Sequence, residues 1–193
     1  MPRTKYKGKV FILSGPSGSG KTTLYQKARE KFPHLRESIS VTTRPKRPGE
    51  VHGRDYFFVS PKMFQYKIRA GHFLEYEQFF GNYYGTPRKY VQDILTAGDS
   101  VLLCIDVKGA RTVRREFPAA VTIFIKTPTL EDLKRRLISR GSEDLQTIEN
   151  RLKRVEMELR EAERYDHVIV NGHLAKAQQA LNRIIAEALA DPD

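Results

Sequence analysis

The sequence predicts an α/β fold: one domain built on a doubly wound parallel sheet and carrying an inserted subdomain. Three observations support this. Gly15-Pro16-Ser17-Gly18-Ser19-Gly20-Lys21-Thr22-Thr23 satisfies G-x-x-x-x-G-K-[ST] at every required position, between the apolar run Val10 to Leu13 and a helix-like stretch that opens at Thr23. Short apolar runs at Val10–Leu13, Val101–Ile105, Ala120–Ile125 and Val168–Val170 alternate with segments of helical character. Strands covered by helices on both faces read this way. A polar, proline-broken block at about 36–90 interrupts the alternation with short strands of its own.

Residues 9–14 form the first strand, short and apolar enough to be buried. A helix follows over about 21–32 and stops at Pro33. Ser38 to Thr42 is extended, and Thr43 to Glu50 is a loop broken by Pro45 and Pro48. Tyr56 to Val59 is a strand and Pro61 to Ala70 a short helix. Phe73 to Phe80 alternates partly, as a half-exposed strand does, and Gly81 to Thr86 is a turn with strand character. Pro87 to Ala97 is a helix closed by Gly98. Ser100 to Ile105 is a buried-type strand that ends at Asp106, and 107–116 is a helix. The strand Ala120 to Ile125 leads to a helix over Leu130 to Ser139 with Thr129 as its cap. Arg140 to Asp144 is a break, a charged helix spans about 145–163, Val168 to Val170 is the last strand, and 173–190 is the closing amphipathic helix.

At 193 residues the chain has the size of one domain, and 39% hydrophobic residues suffice for a core. No apolar run approaches the ~18 residues of a membrane span. The basic stretch Met1 to Lys7 leads into a strand and not into a secretory signal, so a cytoplasmic protein without a membrane partner is expected. Cys104 is the single cysteine, which excludes an intramolecular disulfide and a cysteine zinc site. The five histidines show no metal-ligand spacing. With 34 Lys and Arg against 23 Asp and Glu, the net charge of +11 favours anionic partners. A polyphosphate nucleotide and a nucleic acid both qualify, but no RNA-binding aromatic signature or helix-turn-helix spacing is present, so no specific nucleic acid is expected.

The glycine loop locates the chemistry. Gly15, Gly18 and Gly20 permit positive φ and close backbone approach to an anion. Strand, turn and helix N-terminus aim backbone N–H groups at one point, where the helix dipole adds positive potential. Lys21 reaches the β- and γ-phosphates and the Thr22 hydroxyl holds Mg²⁺. This pattern specifies a nucleoside triphosphate and leaves the acceptor open. Arg44 and Arg47, three apart and followed by Tyr56, suit a phosphate, or form a solvated basic loop. Arg136 and Arg140 share one helix face and Arg151 follows the break. They either close over a triphosphate or form a solvated face. Asp106, at the end of an apolar strand, stands where P-loop enzymes keep a metal-site carboxylate. Glu75, between Leu74 and Tyr76, is a candidate carboxylate or an outward strand position. Cys104 reads as a small buried hydrophobe.

Ser40-Val41-Thr42-Thr43-Arg44-Pro45-Lys46-Arg47-Pro48-Gly49-Glu50, followed by Gly53 to Val59, resembles the guanylate kinase signature. So do Phe73 to Tyr76, Gly81 to Thr86, Ile105 to Ala110, Arg136 to Gly141, Asn150 to Leu152 and Val168 to Asn171, in family order over nearly the whole chain. The resemblance implies a P-loop NTPase-type fold over 1–193, with a core (1–35, 91–139, 164–193), a GMP-binding subdomain (36–90) and a lid (140–163). It implies transfer of phosphate from ATP to GMP with Mg²⁺. Arg44, Arg47, Tyr56 and Tyr84 would hold the GMP phosphate, and Ser40, Glu75, Thr86 and Asp106 would read guanine. Gly15 to Thr23 would hold ATP, with Asn171 near the adenine. Lys21, Arg44, Arg136, Arg140 and Arg151 would carry catalysis. Cys104 stands where many family members have an acidic residue, and Lys108 where a glutamine is common. Monomer and homo-oligomer stay open. So do a non-catalytic interaction module of the same fold and a related kinase for another phosphorylated sugar or nucleotide.

Overall fold

In the computed structural model, which describes residues 6–79, 81–138 and 155–191, the chain folds into two sheets. The larger has five parallel strands in the order β2 (Leu35–Glu37), β7 (Ser100–Cys104), β1 (Val10–Ser14), β8 (Val121–Lys126) and β9 (His167–Val170). The predicted α/β, P-loop-type doubly wound sheet is therefore the architecture. Its cause is visible in the central strand, where every residue of β1 is buried. Phe11 and Leu13 pack on one face with Leu24 and Ala28 of α1 (Lys21–Lys31) and Leu181 and Ile185 of α7 (Leu174–Ala190). Val10 and Ile12 pack on the other with Val91 and Leu95 of α3 (Arg88–Ala97) and Ala110 and Val113 of α4 (Val107–Glu116). Successive side chains of a strand point to opposite faces, so an unbroken apolar run needs a helix layer on each.

The second sheet has the order β4 (Phe57–Phe58), β3 (Val41–Thr42), β6 (Asn82–Pro87), β5 (Phe73–Phe79), all within 41–87. Phe64 of α2 (Pro61–Arg69) stacks on Phe73 and Tyr83 and gives this sheet a core of its own. Sequence and structure differ in two places here. Of residues 81–86, expected as a turn with strand character, Gly81 is in a turn and 82–86 belong to β6, which pairs antiparallel with β5. The strand β2 lies just before the extended segment predicted at 38–42 and joins the edge of the main sheet through β7. Of its three residues only Leu35 is buried, so it carries no strand pattern to read.

Toward the C-terminus, α5 spans Leu130–Ile138, residues 155–160 are helical (α6), and Glu161–Arg164 tighten to a 3₁₀ turn before β9. The predicted break at 140–144 and most of the helix at 145–163 lie outside the described residues, as do Arg140 and Arg151. Among the described residues no helix is long and apolar enough to cross a membrane.

Candidate active site

The buried strand β1 delivers the chain into the glycine loop, and α1 begins at Lys21. Gly15, Gly18 and Gly20 take φ of 137°, 85° and 90°. Gly20 has a second constraint: a Cβ there would lie 2.3 Å from Asn171 Nδ2. That amide donates to the Ser19 carbonyl at 2.8 Å, and Arg136 Nη2 donates to the Asn171 carbonyl at 2.8 Å. Asn171, only 4% exposed, therefore braces the loop from beneath. Lys21 Nζ donates to the carbonyls of Gly15 and Pro16 at 2.5 and 2.9 Å, which places the ammonium at the loop's mouth. The N-cap of α1 is Gly20, without a side-chain cap, and its first turn has no acidic residue. The positive helix end is thus aimed at whatever anion the loop holds.

A second wall comes from the small sheet. Arg44 Nη1 and Nη2 donate to Glu50 Oε2 and Oε1 at 3.0 and 2.7 Å, and the Arg47 backbone N–H donates to Glu50 Oε2 at 2.8 Å. The Arg44 guanidinium also lies over the rings of Tyr56 and Phe58, 5.5 and 5.8 Å from their centroids. Tyr56 meets Tyr84 edge to face at 6.1 Å. A fork-to-fork pair on an aromatic floor fixes the guanidinium plane. Arg44 holds the Glu50 carboxyl below the usual carboxylate range.

Between the two walls stand Glu75 and Asp106. Glu75 is 8% exposed, which removes the outward-strand alternative. Its Oε1 accepts from Thr86 Oγ1 at 2.5 Å across the β5–β6 ladder. Burial pushes the Glu75 carboxyl up to about 7; the Thr86 hydrogen bond opposes the rise, and the neighbouring charges of Asp106 and Glu77 add to it. Asp106 is the N-cap of α4 and accepts from Gly109 N at 2.8 Å. It is bound to the helix it starts, at the C-terminal edge of the parallel sheet where such folds keep ligands.

One cavity of about 930 Å³ joins these groups: Gly15, Lys21 and Thr22 line it from the loop side, and Ser40, Tyr56, Glu75, Tyr84 and Asp106 from the other. Residues 7–188 match the family model described as "Guanylate kinase". The chain belongs to the guanylate kinase family. It is 48% identical over 183 residues to a guanylate kinase of Gloeobacter violaceus, covering 95% of this chain and 89% of that one. It is 42% identical to one of Rubrobacter xylanophilus, over 97% and 98% of the two chains. The crystal structure of a guanylate kinase from Anaplasma phagocytophilum superposes with a TM-score of 0.78 at 34% identity, over 95% of this chain and 87% of that one.

Of the residues singled out by the guanylate kinase resemblance, Gly15, Ser17, Lys21, Thr22, Ser40, Tyr56, Glu75, Tyr84 and Asp106 line this cavity. Arg44 and Arg47 reach it through the lining residue Glu50, and Arg140 and Arg151 lie outside the described residues. Asn171, expected near the adenine, has its side-chain amide turned to Ser19 under the loop. Thr86 is 1% exposed and its hydroxyl proton goes to Glu75, so it acts on the cavity through that carboxylate. Arg136, half-buried, reaches the end of β9 and not a solvated face. Sequence reasoning missed Glu50, Glu77 and Glu158, which also line the cavity. Glu50 stood inside the quoted motif, and its spacing of six from Arg44 across a Pro-Gly turn was the available signal.

Cys104, expected as a buried hydrophobe, is half-buried and lines the cavity because β7 ends there. Burial pushes its thiol up, and the nearby Lys21 charge opposes this. Cys104→Asp is expected to fold, because Lys21 supplies a counter-charge that offsets desolvation. The Tm should fall by no more than about 4–8 °C, about 2 kcal/mol for a chain of this length, with ADP formation retained. A collapsed thermal transition would show instead that packing of the thiol dominates.

Proposed function

We propose that the chain catalyses phosphoryl transfer from ATP to GMP, giving ADP and GDP, across the cavity between Lys21 and Glu75. The activity class, an ATP:GMP phosphotransferase, follows from membership in the guanylate kinase family. The observation that carries the assignment of roles is the single cavity shared by a phosphate loop and a buried carboxylate. Gly15 to Thr23 hold the triphosphate, and Lys21 neutralises the charge that moves from donor to acceptor. Arg44, Arg47, Tyr56 and Tyr84 grip the GMP phosphate, two of whose oxygens replace the Glu50 carboxylate as the bidentate anionic partner or share Arg44 with it. Ser40, Glu75 and Asp106 read the base, with Thr86 orienting Glu75. Arg136 and, from the lid, Arg140 and Arg151 stabilise the transferring group. The acceptor phosphate is already anionic, so alignment and charge neutralisation suffice without a histidine base. The division into core, GMP-binding subdomain and lid belongs to the same reading, as does a cytoplasmic enzyme whose partners are ATP and GMP rather than nucleic acid or membrane.

Mg²⁺ fits the residues present. Among the described residues no group of three or more His, Cys, Asp or Glu is arranged to hold a metal ion. Thr22 offers an exposed hydroxyl in the first turn of α1, at the edge of the cavity. Mg²⁺ is commonly bound by one or two protein oxygens with substrate phosphates and water. Thr22 would hold it and the ion would screen charge between the phosphates. Coupled ADP release with GMP, AMP, UMP and CMP as acceptors tests the assignment: GMP should dominate, and equal rates with all four would remove it.

The environment of Glu75 adds a pH prediction. Guanine N1–H and N2–H need an ionised acceptor, so GMP binding draws the Glu75 carboxyl down from about 7 and releases a proton. The kcat/KM for GMP should fall about tenfold per pH unit below 7, while the KM for ATP lacks this limb. The acceptor phosphate's own ionisation, near about 6, should survive in Glu75→Gln, whereas the limb near 7 should vanish. In the absence of GMP the sign is reversed. The raised carboxyl value means that the neutral form stabilises the fold. That contribution is complete below the ordinary carboxylate range and is lost as pH rises through about 7.

A further inference from the structure

We propose that Gly109 is a positioning residue for base selection: by lacking a side chain it lets the Glu75 and Asp106 carboxylates converge on one point at the start of α4. The proposal rests on the reading of those two carboxylates as the pair that recognises the guanine edge.

Gly109 is buried at the third position of α4. A Cβ there would lie 2.6 Å from Glu75 Oε2, 3.1 Å from Glu75 Cδ and 3.4 Å from Asp106 Oδ1. Its own N–H holds Asp106 Oδ1 at 2.8 Å. One residue therefore touches both carboxylates, fixing Asp106 by a bond and accommodating Glu75 by absence of bulk. On its other side Glu75 meets Thr86, registered opposite it in the ladder, whose Oγ1 donates to Oε1 at 2.5 Å and can rotate to follow a small shift of the carboxylate. Retreat of the helix would unpack Ala110 and Val113 of α4 from the core they share with Val10 and Ile12. An added methyl is thus relieved by movement of the Glu75 carboxylate, the far end of a flexible side chain. Such movement is cheap for the fold and expensive for recognition, because a hydrogen bond to a base edge holds over only a few tenths of an ångström. Local preference runs against glycine here: alanine is the better helix former.

The selected substrate class is a purine monophosphate with adjacent N1–H and 2-amino donors. Gly109→Ala should lower kcat/KM for GMP by about 10- to 100-fold, as misplaced recognition groups do, chiefly through the KM for GMP. The KM for ATP should be unchanged and the Tm unchanged or higher. The preference for GMP over IMP, which lacks the 2-amino group, should shrink. In a Glu75→Asp background, where the shortened side chain leaves room for the methyl, the same substitution should change GMP kinetics by less than about twofold, a non-additivity expected of touching residues. If Gly109→Ala folds only when combined with Glu75→Asp, the steric contact is upheld. Unaltered GMP kinetics in Gly109→Ala, an equal loss in both backgrounds, a parallel rise in the KM for ATP, or failure to fold in both backgrounds overturns the proposal. A wild-type enzyme without preference for GMP would instead overturn the base-reading assignment on which it stands.

Discussion

Lys21→Ala is expected to lower kcat for ADP formation by about 10²–10³-fold, about 2.7–4 kcal/mol, while the protein stays folded. The Lys21 ammonium is held at the mouth of the loop by the Gly15 and Pro16 carbonyls. Those two bonds set where the charge sits before any phosphate arrives, so little reorganisation is needed when charge develops on the transferring group. Removing a preorganised charge costs transition-state stabilisation, and the loss should appear in kcat more than in the KM for GMP. The loop itself should survive. Its backbone is held by Asn171 on Ser19 and by the buried β1, neither of which involves Lys21. Lys21→Met, which keeps the stem and removes the charge, should lose as much as Lys21→Ala. Turnover near the wild-type rate in a folded Lys21→Ala protein would sink the kinase mechanism built on this loop.

GMP is expected to exceed AMP as acceptor by about 10⁴–10⁵ in kcat/KM. Guanine presents N1–H and N2–H donors on one edge, and the buried, ionised Glu75 can accept from both while Asp106 shares the amino group. Adenine presents a bare N1 lone pair to the same carboxylate. A buried site that must leave a charge unpaired rejects the wrong ligand strongly, because the carboxylate was desolvated to make the contact. Glu75 is 8% exposed and its carboxyl is raised to about 7, so that desolvation is already in place. Glu75→Gln should therefore damage GMP use far more than ATP binding. Its amide can still accept from one guanine donor but turns a donor toward the other. Steady-state kinetics with both acceptors and both enzymes measures this. Comparable values for GMP and AMP, or an unaltered Glu75→Gln enzyme, would leave only a generic nucleotide kinase.

The loop Gly15 to Thr23 and the parallel sheet were legible because each is encoded in contiguous residues. The glycines, the lysine and the flanking apolar strand act on their immediate neighbours, and an apolar run long enough for one strand demands two helix layers wherever it lies. The basic loop at Arg44 and Arg47 was legible as a candidate, and the choice between a phosphate grip and a solvated face was not. That choice depends on Glu50, Tyr56 and Phe58, which reach Arg44 only once the chain has turned back on itself. Glu75 shows the limit most clearly. As Leu74-Glu75-Tyr76 it reads equally well facing in or out, since a strand's period of two says which residues share a face but not which face is covered. Pairing with β6 and docking of α4 bury it, bring Thr86 to one oxygen and Gly109 to the other, and raise its carboxyl. Asn171 reaches Ser19 across 152 positions of chain. The sequence alone thus determined the fold class, the phosphate loop and the family likeness, all of which rest on local pattern. Tertiary structure alone decided which carboxylates are desolvated, which arginines are held and which glycine must stay bare, because burial and charge pairing arise from groups that only the folded chain brings within a few ångströms of each other.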